Sequence, residues 1–161
     1  MNHTGFKTGE ISGVVFANIT KYVDERGWLA ELYRTDELEE QVFPKMAYVS
    51  QTKPGIQRGP HEHASQTDYF CFLGPSNFKI ILWDNRKDSR TYLNKMVFFF
   101  GQDRPSSLLV PPGVVHAYKN IGVSNGIMIN AANFLYAGYK KKEHVDEIRY
   151  EDDPQTPFIF D

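Results

Sequence analysis

The chain has 161 residues, a formal charge of -2 and a pI near 6.2. That balance supplies no basic field to gather nucleic acid or an anionic membrane, and the length fits one domain, residues 1–161, with a core of its own. The single cysteine, Cys71, excludes a disulfide framework and reads as a small buried hydrophobe between aromatics.

The opening MNHTGFKTGE lacks the charged-then-apolar pattern of a secretion signal. No apolar run approaches the roughly 18 to 20 residues that span a bilayer, so a soluble cytoplasmic protein with no membrane partner is expected. In chain order, ISGVVFANI, GWLAELYR, KMAYVSQ, DYFCFLG, FKIILWD, KMVFFFG, SLLVPPG and GIMINAANF are short apolar or alternating runs rich in Val, Ile, Phe and Tyr, which predicts strands. TDELEEQVF, with Thr35 as N-cap, and KKKEHVDEI read as helices. Many short strands between Gly and Pro turns, without a βαβ rhythm, predict an all-β antiparallel sandwich or barrel with one or two short helices. Twelve Phe, nine Tyr and two Trp exceed what a small core requires, so some are expected to line a pocket for a flat or ring-shaped ligand.

The chemistry concentrates in GIQRGPHEHASQTDYF, residues 55–70. On a strand, His61 and His63 share one face and Glu62 points away. Downstream, LVPPGVVHAYKN places His116 after a Pro-Gly turn. Together the stretches resemble the paired motifs of the cupin superfamily, and that resemblance implies a jelly-roll barrel. In metal-bearing cupins such residues are ligands, so His61, His63, Asp68 and His116 form one candidate set for a divalent transition metal.

A more specific resemblance rests on an ordered series of four segments. DERGWLAELYR carries Asp24, Arg26, Gly27 and Glu31; QRGPH carries Arg58, Gly59 and His61; WDNRKDSRTY carries Asp84, Arg86, Ser89 and Thr91; and the Pro-Pro-Gly turn leads to His116. From about residue 12 onward the chain resembles the dTDP-4-dehydrorhamnose 3,5-epimerase family of cupins. The resemblance implies a homodimer that needs no metal or other cofactor and acts on a nucleotide-linked 4-keto-6-deoxy sugar in pathways for bacterial surface polysaccharide. By the same resemblance His61 is the base, Arg58 stabilises the enolate, Arg26 and Glu31 face the nucleotide, and His63, Gln66, Asp68 and His116 line the substrate pocket. Taken alone, Asp24 with Arg26 reads equally as a surface ion pair, and Asp84 with Ser89 as a hairpin turn.

The sequence also departs from that family. Asp68 stands where the family has a lysine, and could pair with His63 or Arg58. The family's acid tyrosine would fall at Ile129 or Asn130, so Tyr136, where the family has a second tyrosine, becomes the candidate acid, with Tyr139 or water as the alternative donor. The aspartate that orients the histidine has only Asp161 as a counterpart. A site without the usual acid suits inversion at C3 alone better than at C3 and C5. The base of the nucleotide, thymidine, cytidine or guanosine, is left open. The competing readings are a metal-dependent cupin isomerase or oxygenase and a barrel that binds nucleotide sugars without converting them.

Overall fold

The computed structural model describes residues 5–161. Its strands are β1 (Lys7–Thr8), β2 (Val15–Asn18), β3 (Tyr22–Asp24), β4 (Gly27–Leu29), β5 (Met46–Thr52), β6 (Gln57–Glu62), β7 (Asp68–Phe72), β8 (Asn77–Asp84), β9 (Asn94–Gly101), β10 (Ser106–Val110), β11 (Val114–Asn120), β12 (Gly126–Ala132) and β13 (Ile148–Arg149). They build a six-stranded sheet, β1-β9-β8-β11-β6-β13, a five-stranded sheet, β2-β10-β7-β12-β5, and a separate β3-β4 hairpin. All pairings are antiparallel except the short β1-β9 contact.

Alternation along the strands decides which side chains fill the space between the sheets. Phe78, Ile80 and Leu82 of β8 meet Phe70 and Phe72 of β7, Leu108 of β10 and Met128 of β12 in one core. Two residues on the other side of β8 are also buried. Ile81 and Trp83 pack with Val115 and Ala117 on the outer face, under Phe158 and partly buried Phe6, Tyr150 and Phe160. The chain's last segment therefore covers the outside of the β8-β11 pair, which explains why residues 80–83, IILW, are apolar without interruption.

The two expected helices do not form. TDELEEQVF folds into two 3-10 turns, Thr35–Glu37 and Glu40–Val42, neither of which buries a residue. A helix there would have no apolar stripe to dock, and the isolated acidic run cannot offset its nucleation cost. Thr35 lies inside the first turn, while Arg34 holds the N-cap position without a side-chain cap. In KKKEHVDEI the only helical element is the end of a 3-10 turn, Tyr139–Lys141, in which Lys140 has φ 54°. Tertiary bonds then take over. Asp146 accepts hydrogen bonds from the backbone N–H groups of Ala64, Ser65 and Gln66, and Ile148–Arg149 is recruited into the sheet beside β6. No helix among the described residues is long and apolar enough to cross a membrane.

Candidate active site

The site begins with an irregularity in β6. His61 pairs with His116 of β11, and Arg58 pairs with Tyr118, so three steps on β6 oppose two on β11. The extra residue is a bulge. Strict alternation would place Arg58 and His61 on opposite faces; the bulge returns both to the inner face. Glycine is required there, because Gly59 has φ +76° and a Cβ would lie 2.5 Å from the His116 carbonyl oxygen. On the other side of β6, Arg149 of β13 stands directly opposite His61. Glu62 points outward, as expected, and its Oε1 accepts hydrogen bonds from Tyr150 Oη at 2.6 Å and Asn85 Nδ2 at 3.1 Å.

Three imidazoles converge behind this surface. The ring of His61 lies 4.3 Å from that of His116 and 5.8 Å from that of His63, centroid to centroid. The anion among them is Asp68, whose Oδ2 is 3.2 Å from His63 Nε2 and 3.3 Å from His116 Nε2. Asp68 Oδ1 accepts hydrogen bonds from Gln66 Nε2 at 2.8 Å and Asn130 Nδ2 at 2.7 Å. Of the two partners considered for Asp68, the structure selects His63. Arg58 turns instead to Thr52 Oγ1 and the Gln51 carbonyl, and has no carboxylate within ion-pair distance among the described residues.

These contacts separate the protonation states of the histidines. Burial works against a charge on His63, but the hydrogen bond and charge of Asp68, aided by the Asp146 carbonyl at Nδ1, raise its pKa to about 9. Burial likewise opposes ionisation of Asp68, and His63 and His116 overcome it, holding the carboxyl at about 2. Desolvation, reinforced by His116 and His63, lowers His61 to about 2. Desolvation also lowers His116, whose Nδ1 donates to the Val114 carbonyl. The cluster thus holds one imidazolium, one carboxylate and two neutral imidazoles. His61 Nδ1 and His116 Nε2 are buried without hydrogen-bond partners.

The three imidazoles lie close enough to be weighed as metal ligands, each offering one nitrogen within 4.8 Å of the others. His63 is engaged at both nitrogens, Nδ1 to the Asp146 carbonyl and Nε2 to Asp68 Oδ2. The residues form a hydrogen-bonded network centred on Asp68, and an ion would have to displace its proton.

Two adjoining cavities open onto His61. One, of about 640 Å³, is lined by Arg58, Tyr118, Tyr48, Glu147, Arg149 and Glu151. The other, of about 1000 Å³, is lined by His63, Gln66, Tyr136 and Tyr139, and shares Tyr48, Glu147 and Arg149 with the first. Asp68 and His116 line neither; they are buried behind the wall. Asp161 is a correction: it binds Lys95 at 2.8 Å instead of approaching His61. The carboxylate nearest His61 Nδ1 among its ion-pair contacts is Glu151, at 3.9 Å. Sequence reasoning missed Tyr48, Arg149 and Glu151, because only strand pairing and the returning tail bring them to the histidine.

The outlying motif residues lie elsewhere. Arg26 binds Asp24 on the exposed β3-β4 hairpin. Glu31 lines a groove of about 800 Å³ over the outer face of β2, β10 and β7. Asp84 is a structural clip, accepting bonds from Arg86 Nε at 2.8 Å, Ser89 Oγ at 2.7 Å and Thr91 Oγ1 at 2.5 Å, and so fastening the β8-β9 connection.

Two facing sheets that enclose a histidine cluster near one end define a cupin jelly-roll barrel. A family model described as dTDP-4-dehydrorhamnose 3,5-epimerase matches residues 8–155. The spore coat polysaccharide biosynthesis protein SpsL of Bacillus subtilis is 32% identical over 146 residues, covering 91% of this chain and 93% of that protein. Over 115 residues the chain is 34% identical to the Haloferax volcanii protein named Probable low-salt glycan biosynthesis epimerase Agl13, covering 70% and 72% of the two. Among solved structures, a dTDP sugar isomerase from Desulfovibrio desulfuricans G20 superposes with a TM-score of 0.76 at 19% identity, over 89% of this chain and 87% of that one. The chain belongs to the dTDP-4-dehydrorhamnose 3,5-epimerase family, and is an isomerase of the sugar-epimerase type.

Proposed function

We propose that the chain inverts C3 of a nucleoside-diphosphate-linked 4-keto-6-deoxyhexose, without a metal, in cytoplasmic synthesis of a surface polysaccharide. The observation that carries this reading is the pairing, on one wall of a cavity, of an uncharged imidazole with a guanidinium that has no carboxylate partner among the described residues. The 4-keto group acidifies the C3 hydrogen. His61 accepts that proton, and the electrons of the C–H bond move through C4 onto the keto oxygen. Arg58 faces the resulting enolate. One charge about 4 Å away at an effective dielectric of 20 is worth roughly 4 kcal/mol, or nearly three powers of ten in rate.

Burial leaves His61 a weak base, so its basicity must rise in the complex. Glu151 is the group placed to do this. Closing the 3.9 Å gap to His61 Nδ1 would give the imidazolium a hydrogen-bonded carboxylate. Gln66, His63 and Tyr139 shape the wider cavity toward the nucleotide, with Tyr136 at its mouth.

Two copies complete the assembly in this reading. Val23 and Leu29 on the β3-β4 hairpin are 76% and 64% exposed, and the hairpin pairs with neither large sheet. A second copy would cover that apolar surface, with Arg26 and Glu31 of one copy reaching the nucleotide held by the other. The test of the function is incubation in D2O with dTDP-, CDP- and GDP-linked 4-keto-6-deoxyhexoses, followed by NMR. Deuterium is expected at C3 and lost in His61→Ala; absence of exchange at C3 and C5 with all three rejects the proposal.

A further inference from the structure

Inversion needs a second proton donor on the far side of the sugar from His61, and the chain carries several tyrosines near the pocket. We infer that the donor is Tyr48. This rests on the proposed function and deepens it.

His61 and Arg58 project from the six-stranded sheet, whereas Tyr48 projects from β5 of the five-stranded sheet. The base and this hydroxyl therefore come from opposite walls, as removal from one face and return to the other requires. Tyr48 is 44% exposed and lines both cavities that open onto His61. Its position is fixed by a directly opposed pair: Asn130 of β12 faces Tyr48 across the β5-β12 ladder. Asn130 Nδ2 donates to Tyr48 Oη at 3.1 Å and to Asp68 Oδ1 at 2.7 Å. Because the phenol oxygen accepts from Asn130, its own hydrogen is free to point into the pocket.

The other tyrosines are less suited. Tyr118 stands on the same sheet as His61, opposite Arg58, with its hydroxyl 3.4 Å from Ser50 Oγ. Tyr136 sits on a loop at the mouth of the wider cavity, is 55% exposed and does not line the cavity that holds Arg58.

The step balances without a further reactant. His61 takes the C3 proton and its electron pair passes to the keto oxygen as an enolate. The pair then returns to C3, which takes the Tyr48 proton on the opposite face. Tyr48 is left as phenolate and His61 as imidazolium, and exchange with water resets both.

The test compares Tyr48→Phe, Tyr136→Phe and wild type in D2O on whichever of the three nucleotide sugars the wild type converts. In Tyr48→Phe, His61 still removes and returns the C3 proton on its own side. Deuterium should then enter C3 with retained configuration while epimer formation falls about 10²- to 10⁴-fold. In Tyr136→Phe exchange and inversion should stay coupled, and exchange with retained configuration there overturns the assignment. A simple structural defect would depress exchange and inversion together, so that result overturns the assignment, as does normal epimer formation by Tyr48→Phe. If the wild type exchanges no C3 hydrogen, the proposed function fails first and the tyrosine assignment fails with it.

Discussion

Arg58 and His61 face the same cavity although they are three positions apart on one strand, because the bulge at Gly59 and Pro60 inserts the residue that alternation lacks. The bulge in turn depends on glycine. Alanine at position 59 would have to hold φ +76° and place Cβ 2.5 Å from a backbone oxygen that cannot rotate away. Gly59→Ala is expected to cost about 1–3 kcal/mol of stability from the backbone conformation alone. It should also reduce C3 exchange, since relief of the clash moves His61 or Arg58. Urea unfolding and D2O exchange measure the two effects; an unchanged midpoint with full exchange would contradict the bulge argument.

The His63-Asp68 pair predicts a pH optimum of stability. His63 rises from its ordinary value near 6.5 to about 9 in the folded protein. Its contribution is therefore complete below pH 6.5 and is lost as pH climbs through about 9. His61 is shifted the opposite way, to about 2, so the unfolded chain binds a proton there that the folded chain refuses. That difference removes stability as pH falls below about 6.5. The two limbs meet near pH 6.5. Asp68→Asn should flatten the alkaline limb, because His63 then loses the charge that holds its proton. Denaturation midpoints from pH 5 to 9.5 would show the change, and an unaltered alkaline slope would count against the pair.

Much of the barrel was legible in the sequence because strand alternation and turn residues are local signals. β2, β4, β7 and β12 fall within the runs read as strands, β5, β8, β9 and β10 overrun theirs by one residue, and His61 and His63 share a face as their spacing requires. What escaped were relationships made by the folded topology. Asn130 and Tyr48 are 82 positions apart and meet only because β5 and β12 pair. Arg149 and Glu151 follow the run read as a helix and reach the site only because β13 joins β6. The second helix reading failed for the same reason, since Asp146 accepts three tertiary hydrogen bonds that a local helix would not offer.

Glu151 tests how His61 gains its basicity. A carboxylate 3.9 Å from Nδ1 favours the imidazolium, by about 1 to 4 kcal/mol for effective dielectrics between 80 and 20, or roughly 5- to 1000-fold in rate. Glu151→Gln should lower kcat within that range and leave KM nearly unchanged, since the amide keeps the shape of the side chain. The acid limb of the kcat profile should move to lower pH, because a base without its counter-charge protonates less readily. A fall in kcat with an unmoved limb would reduce Glu151 to a packing role.

Whether the site spans two chains can be decided by complementation. Arg26 sits on the exposed hairpin and lines neither cavity at His61. If it serves the nucleotide of a second copy, Arg26→Ala and His61→Ala damage complementary halves of each site. A mixed dimer then holds one intact site and one site with both defects. Equal mixing with full subunit exchange should restore about a quarter of wild-type activity. If Arg26 acted within its own chain, every site in the mixture would lack one residue or the other, and activity would stay at the level of the separate variants. Val23→Asp, which places a charge on the exposed hairpin, should prevent both dimerisation and the rescue. Because Val23 is 76% exposed in the single chain, that substitution should leave the barrel's own stability within about 0.5 kcal/mol.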